Sequence, residues 1–219
     1  MSEQAKILVF LGSPGAGKGT VAAWLASRGA VRHLSTGDVL RKAVKEGTEV
    51  GRIASTYMSE GKLVPDEVII DVLFESVEGF EGPPLVLDGF PRTLPQAEAL
   101  EERLASLGTR VDRCVLFEIE DEAVIRRLSS RLVCSSCGAT YNAVAKPPAR
   151  EGVCDACGSA VVRRRDDEPE AIQERLRVYR EATEPLVDHY EASGVLVRVD
   201  AGREMDEVRR RVREILELS

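Results

Sequence analysis

Lys6-Ile7-Leu8-Val9-Phe10-Leu11 runs straight into Gly12-Ser13-Pro14-Gly15-Ala16-Gly17-Lys18-Gly19-Thr20. A short apolar run closed by a glycine reads as a strand buried on both faces. From Lys18 to about Arg28, the residues Val21, Trp24 and Leu25 recur at helical spacing, and Gly29 supplies a stop. Strand, glycine-rich turn and helix in that order let successive backbone N–H groups converge on phosphate oxygens. The glycines free the chain, Lys18 adds a point charge, and the positive end of the helix faces the same anion. The general pattern has Ser or Thr directly after the lysine to hold Mg²⁺. Here Gly19 stands there and Thr20 is the nearest hydroxyl, so the metal would be held mostly by water and nucleotide oxygens. Glycine-rich turns also arise for packing alone; the placed lysine and both matching flanks argue against that here.

Outward from this unit, strands are expected at 84–88, 114–117 and 194–199. Helices are expected at about 66–78, 95–107, 121–132, 170–192 and 204–218, with Thr183-Glu184-Pro185 bending or interrupting the long one. Alternating strands and helices imply an α/β fold with a parallel sheet covered on both faces. Residues 36–60 hold two helical patterns with no strand between them. Residues 133–165 are rich in Cys, Gly and Pro. Both read as excursions from one core, since no low-complexity linker separates them.

A chain of 219 residues buries roughly 70% of its unfolded surface, so it needs no disulfide staples to fold. The composition, 43% hydrophobic and 31% charged, is that of a soluble globular protein, and no apolar run approaches the ~18 residues of a membrane span. Met1-Ser2-Glu3-Gln4-Ala5 lacks the basic and apolar pattern of a secretory signal, which makes a cytoplasmic location the expectation. A net charge of −7 argues against a general nucleic-acid or membrane-surface binder. The basic residues are nonetheless lopsided, with 24 Arg against 6 Lys.

Two further motifs decide what the phosphate loop serves. Leu34-Ser35-Thr36-Gly37-Asp38-Val39-Leu40-Arg41 puts a hydroxyl, an acid and an arginine near a helix start. Asp88-Gly89-Phe90-Pro91-Arg92-Thr93-Leu94-Pro95-Gln96 emerges at the carboxyl end of a buried strand, where open α/β sheets bind ligands. Farther on, Cys134-Ser135-Ser136-Cys137-Gly138 and Cys154-Asp155-Ala156-Cys157-Gly158 form two knuckles with 16 residues between Cys137 and Cys154. Four thiolates at this spacing can close a tetrahedron around one Zn²⁺, leaving no open position for water, which implies a structural role. Iron fits the same four sulfurs, and two disulfides or a redox pair are the other readings. Cys114 lies in an apolar strand and reads as a buried small residue.

The loop at 12–20, Ser35-Thr36-Gly37-Asp38 and Asp88-Gly89-Phe90-Pro91-Arg92 together resemble the motifs of the adenylate kinases, within the nucleoside monophosphate kinases. The resemblance runs through essentially the whole chain, and the four cysteines fall where long-lid, zinc-binding members carry their metal ligands. The family's own loop has Gly in place of Ser or Thr. The resemblance implies a P-loop NTPase core of residues 1–34, 65–130 and 168–219. It also implies a small helical AMP-binding insertion at 35–64 and a zinc-containing lid at 131–167. It implies reversible transfer between MgATP and AMP giving two ADP, with Mg²⁺ carried by ATP and one structural Zn²⁺ per chain. The expected partners are ATP, AMP and ADP, with no nucleic acid and no membrane, and the expected state is a monomer.

Carried over by position, ATP would contact Gly15, Ala16, Gly17, Lys18, Gly19, Thr20, Arg131, Thr140, Tyr141 and the backbone near Arg203. AMP would contact Thr36, Arg41, the backbone of Lys62, Leu63 and Val64, then Gly89, Phe90, Pro91, Arg92 and Gln96, with Arg164 and Arg175. The catalytic set would be Lys18, Asp88, Arg92, Arg131, Arg164 and Arg175. Physically, each arginine can fork two donors onto phosphate oxygens, and Gln96 offers both a donor and an acceptor to an adenine edge. Asp88 is the first choice to orient metal-bound water and Asp38 the second. Arg163-Arg164-Arg165 before Asp166-Asp167-Glu168 reads alone as a solvated charge run. The Arg-x-Asp-Asp spacing, with Arg175 eleven residues after Arg164, is what draws Arg164 into the resemblance. The attacking phosphate oxygen is already anionic, so no general base is required, and His33 and His189 read as structural. The two insertions would close over the nucleotides and exclude water. The alternatives are a zinc-ribbon ATPase dependent on nucleic acid and a monophosphate kinase with another acceptor, and donor choice between ATP and GTP stays open.

Overall fold

All six residues of the opening strand, β1 (Ile7–Gly12), are buried, so both of its faces must be covered. The computed structural model describes residues 6–77 and 82–217. After β1 come α1 (Lys18–Ala26), β2 (Arg32–Ser35), α2 (Thr36–Glu46), α3 (Glu49–Ser59), α4 (Asp66–Val77), β3 (Leu85–Asp88), α5 (Leu94–Ser106), β4 (Val111–Glu118) and α6 (Asp121–Ser129). The chain continues through β5 (Arg131–Cys134), β6 (Thr140–Asn142), β7 (Val161–Val162), α7 (Pro169–Val178), α8 (Leu186–Ala192), β8 (Leu196–Asp200) and α9 (Met205–Ile215).

The core sheet has the order β2-β3-β1-β4-β8 with every pairing parallel. Side chains alternate across β1 as the pleat demands. Ile7, Val9 and Leu11 join Leu100 and Leu104 of α5 and Leu186 and Tyr190 of α8 on one face. Leu8 and Phe10 join Val21 and Leu25 of α1 and Val208 and Val212 of α9 on the other. The carboxyl ends of β1, β2 and β3 therefore open onto one edge, and the loops that leave them share a cleft.

Sequence patterning finds four of the five core strands. β2 escapes it because an edge strand with one apolar residue, Leu34, shows neither a buried run nor alternation. β4 begins at Val111 and not at 114, since Asp112 and Arg113 break the apolar run; the Asp112 carboxylate accepts from the Ile7 N–H at 2.7 Å. The helix expected to reach 132 stops at Ser129, because Arg131 already pairs in β5. The long helix breaks where Pro185 demands it: α7 passes into one wide turn of π-helix over Tyr179–Thr183, and α8 starts beyond the proline. The expected ends at 78 and 218 lie outside the described residues.

Two segments stand outside the core sheet. α2 and α3 form a helical pair with no strand between, joined through Gly47 and the Thr48 cap, whose hydroxyl accepts from the Gly51 N–H. The second excursion is a three-stranded antiparallel sheet, β6-β5-β7, packed around Cys134, Tyr141, Cys154 and Val161. No helix among the described residues is long and apolar enough to cross a membrane.

Gly51 marks the closest approach of α3 to α2, where a Cβ would overlap the carbonyl of Ala43. Gly51→Ala is expected to cost about 1–3 kcal/mol by forcing the two helices apart. A denaturant melt checks it, and a stability equal to the parent's would refute the close packing.

Candidate active site

Lys18 opens α1 and curls back over the loop, its Nζ donating to the carbonyls of Gly12 at 2.6 Å and Ser13 at 2.9 Å. The cap residue is Gly17, which has no side chain to bond the first amides of the helix. Those N–H groups are left for an anion. The loop is steadied from outside by Arg127, whose guanidinium donates to the carbonyls of Ala16 at 3.3 Å and Ala201 at 2.8 Å. Gly19 has a steric reason: a Cβ there would come within 2.9 Å of Asp88 Oδ2. A side chain at 19 would press on the tip of the carboxylate that ends β3. Asp88 Oδ2 also meets His33 Nε2 at 3.2 Å, so His33, which carries no motif, borders the site from β2.

From β3 the chain turns through Gly89, Phe90 and Pro91. Phe90 drives into the core at 1% exposure and the Phe90–Pro91 bond is cis. Arg92 Nε donates to the Gly89 carbonyl at 2.8 Å, and the Thr36 hydroxyl donates to that same carbonyl at 2.8 Å. The Arg92 carbonyl accepts from Thr183 Oγ1 at 2.8 Å, a contact supplied by the π-helical turn.

A cavity lies between α2, α3 and the core. Thr36, Leu40 and Arg41 line it from α2, Lys62, Leu63 and Val64 from the segment after α3, and Gly89, Arg92, Gln96, Asp166 and Arg175 from the core side. Most of the residues singled out for a monophosphate thus meet here. Phe90 and Pro91 do not line it; they are buried in the core beneath. Asp38 binds Arg41 Nη2 at 2.6 Å, which ties it to the cavity wall and away from the loop.

The second excursion brings its own charges. Arg131, at the start of β5, holds Asp167 through Nε at 2.7 Å and Nη2 at 2.5 Å. Arg175 Nη1 reaches Asp167 Oδ1 at 3.0 Å and Asp166 Oδ2 at 3.2 Å. The Asp167 side chain is wholly buried. Neither acid stands out in the sequence, where both sit in a charge run; the Arg-x-Asp-Asp spacing is the only signal for them. Arg163 is exposed, and the Arg165 side chain lies outside the described residues.

These cations are short of counter-charge. Burial pushes Lys18 down to about 8, with Arg92, Arg175 and Arg131 adding repulsion and Asp88 opposing it. Burial, then Arg175, takes Arg92 to about 10. Burial, then Arg131 and Arg41, takes Arg164 to about 10. Burial pushes the Asp166 carboxyl up, but Arg175, Arg131, Arg164 and Arg41 together outweigh it and hold the group below its ordinary value. A cleft walled by this many guanidinium groups suits a polyanion.

The other residues singled out in the sequence lie on β6, in the turn after β8 and on α8. Thr140 is exposed on β6, while the Tyr141 hydroxyl turns away from the cleft to Cys154 Sγ at 3.3 Å and accepts from the Asp155 N–H at 2.8 Å. The Arg203 side chain is exposed and paired with Asp200 and Glu207, leaving its backbone in the turn between β8 and α9. His189 pairs with Glu101.

The sulfurs of Cys134, Cys137, Cys154 and Cys157 lie within 4.8 Å of one another. Cys134–Cys157 is 3.4 Å and Cys137–Cys154 is 3.6 Å. Arms of ~2.3 Å around a tetrahedral ion give edges of about 3.8 Å, close to these spacings. The N–H groups of Ser136 and Cys137 both point at Cys134 Sγ at 3.4 Å. Bonds from Ser159 draw the Cys157 thiol down to about 6. The donor set thus fits a tetrahedral, thiophilic cation.

A family model described as adenylate kinase matches residues 10–195. The chain is 47% identical over 204 residues to an adenylate kinase of Lachnospira eligens, covering 92% of this chain and 95% of that protein. It is 44% identical over 215 residues to one from Caldicellulosiruptor saccharolyticus, covering 95% and 98%. It is 43% identical over 216 residues to one from Archaeoglobus fulgidus, covering 96% and 97%.

Asp167 is the one wholly buried carboxylate that both Arg131 and Arg175 share. Asp167→Asn should lower the stability of the ligand-free protein by about 3 kcal/mol, the cost of stranding buried charge. Added pyrophosphate should recover part of the loss in a thermal melt; an unchanged melting temperature without anion would show that the pair carries no load.

Proposed function

This chain belongs to the adenylate kinase family and is a phosphotransferase acting between ATP and AMP, and from that premise we propose how its residues divide the work. The observation that carries the assignment is the gathering of half-buried guanidinium groups where the loop, the cavity under α2 and α3, and the cysteine-bearing excursion meet.

ATP lies with its phosphates on the amides of Gly15 to Thr20 and on Lys18. Arg131 covers it from the lid, and the backbone near Thr140, Tyr141 and Arg203 borders it. AMP fills the cavity, its phosphate between Thr36, Arg41 and Arg92 and its base toward Gln96 and the Lys62 to Val64 backbone. Mg²⁺ arrives with ATP and supplies charge neutralisation across its phosphates. The Asp88 carboxylate, which can accept more than its one bond from His33, is the group to hold the ion's water.

Transfer needs alignment more than proton chemistry. An AMP phosphate oxygen, already anionic, forms the new bond to the γ-phosphorus as the bond to the β,γ-bridging oxygen breaks, leaving ADP on each side. Arg92, Arg164 and Arg175 gather around the moving phosphoryl group, which is where negative charge is spread over the equatorial oxygens. Their depressed basicity in the empty cleft is consistent with groups arranged to meet charge brought by substrate. Closing residues 35–64 and 131–167 over the two nucleotides shields the γ-phosphoryl group from water. The four cysteines hold Zn²⁺, which contributes folding free energy to a lid too small to build a core of its own.

A coupled assay with ATP and each of AMP, GMP, CMP and UMP tests the acceptor, and consumption of ATP indifferent to AMP would sink the assignment. Stimulation of ATP hydrolysis by DNA or RNA would instead favour a zinc-ribbon ATPase. Arg92→Ala should lower kcat/KM at least about a hundredfold while leaving the thermal melt nearly unchanged. Elemental analysis should find about one zinc per chain, and Cys154→Ser should lose it and melt earlier. Metal-free protein of parental stability would remove the structural role.

A further inference from the structure

Gln96 borders the cavity at 2% exposure, and its carboxamide is held at both ends. Oε1 accepts from the Arg92 N–H at 2.7 Å, and Nε2 donates to Asp66 Oδ1 at 2.6 Å. Neither partner is ambivalent: a peptide N–H only donates and a carboxylate only accepts. The two ends of an amide are nearly the same shape, so partners of this kind are what tell them apart.

Each partner is fixed in turn. Asp66 stands in the first turn of α4, and its Oδ2 accepts from Thr93 Oγ1 at 2.9 Å. Thr93 caps α5, its hydroxyl accepting from the Gln96 N–H at 3.2 Å. The Arg92 carbonyl, in the next peptide unit, accepts from Thr183 Oγ1. These contacts lie on α4, α5 and the turn beside α8, all packed on the sheet.

A primary amide has two N–H bonds and two lone pairs. With one of each engaged, Gln96 retains one donor on a fixed nitrogen and one acceptor on a fixed oxygen. A 6-aminopurine presents a lone pair at N1 beside an exocyclic N–H. A 6-oxopurine presents the reverse, an N–H at N1 beside a carbonyl oxygen. An amide free to turn over would satisfy either edge, whereas a locked one satisfies only one of them.

We infer that Asp66 is a positioning residue which, by locking the Gln96 carboxamide, makes the acceptor site choose a 6-aminopurine over a 6-oxopurine. The inference rests on the assignment of Gln96 to the acceptor base. Asp66 itself is not among the residues lining the cavity, so it acts through Gln96.

The test compares AMP with IMP as acceptors, since they differ only in the 6-substituent and the N1 proton. Asp66→Ala should shrink the AMP to IMP ratio of kcat/KM about tenfold, with absolute turnover of IMP rising. Asp66→Asn keeps an acceptor oxygen and should restore most of the preference. Parallel loss on both acceptors, or an unchanged ratio, would show that Asp66 only supports the fold and would overturn the inference. Gln96→Leu separates the underlying assignment: a parental ratio in that variant means Gln96 does not read the base at all. If the Asp66 variants fail to fold, amide exchange in the parent protein decides. The Gln96 side-chain protons should be protected from solvent before nucleotide is added, and rapid exchange would show that no lock exists.

Discussion

Gathering like charges in a half-buried cleft is unfavourable, and the site is organised around that repulsion. Lys18, Arg92, Arg164 and Arg175 all have their basicity lowered, with burial the leading cause for each. Asp167, which bridges Arg131 and Arg175, and Asp166, which pairs with Arg175, offset part of the excess. What stays unneutralised has to be met by the phosphates. The cluster is also assembled from distant parts of the chain: the loop after β1, the turn after β3, the root of the lid at Arg131 and the face of α7. Charges drawn from such separate parts of the chain repel one another, and an anion between them would relieve that repulsion.

The rest of the fold holds these pieces without tying them rigidly. The sheet fixes the loop, Asp88 and the Arg92 turn. The helical pair and the cysteine-bearing sheet reach over the cleft from opposite sides and touch there: Lys45 Nζ, at the end of α2, is 3.5 Å from the carbonyl of Ser135 in the first cysteine knuckle. Such an exposed contact is weak.

Much of this is legible in the sequence because the motifs are local. The loop, the Asp88 to Arg92 turn and the two cysteine knuckles each lie within a few residues, and their chemistry is written in residue type and spacing. What stays hidden depends on tertiary pairing. β2 has no pattern because an edge strand needs none. Asp166 and Asp167 look like solvated acids until β5 brings Arg131 across. The resemblance puts Arg127 beside Arg131 in the family's arginine pattern, but only the fold shows its guanidinium between Ala16 and Ala201. Asp66 reads as a helix-start acid, and only the placement of α4 beside α5 reveals its bond to Gln96. The excess of arginine over lysine is explained at the cleft, where planar forks suit phosphate, but nothing in the structure explains it over the remaining surface.

The exclusion between Gly19 and Asp88 has a consequence for how the loop can change. A serine or threonine at position 19 would bring its Cβ within 2.9 Å of Asp88 Oδ2, so the tip of that carboxylate would have to turn aside to admit it. The same oxygen meets His33 Nε2 at 3.2 Å, so a side chain gained in the loop would be felt on β2 as well.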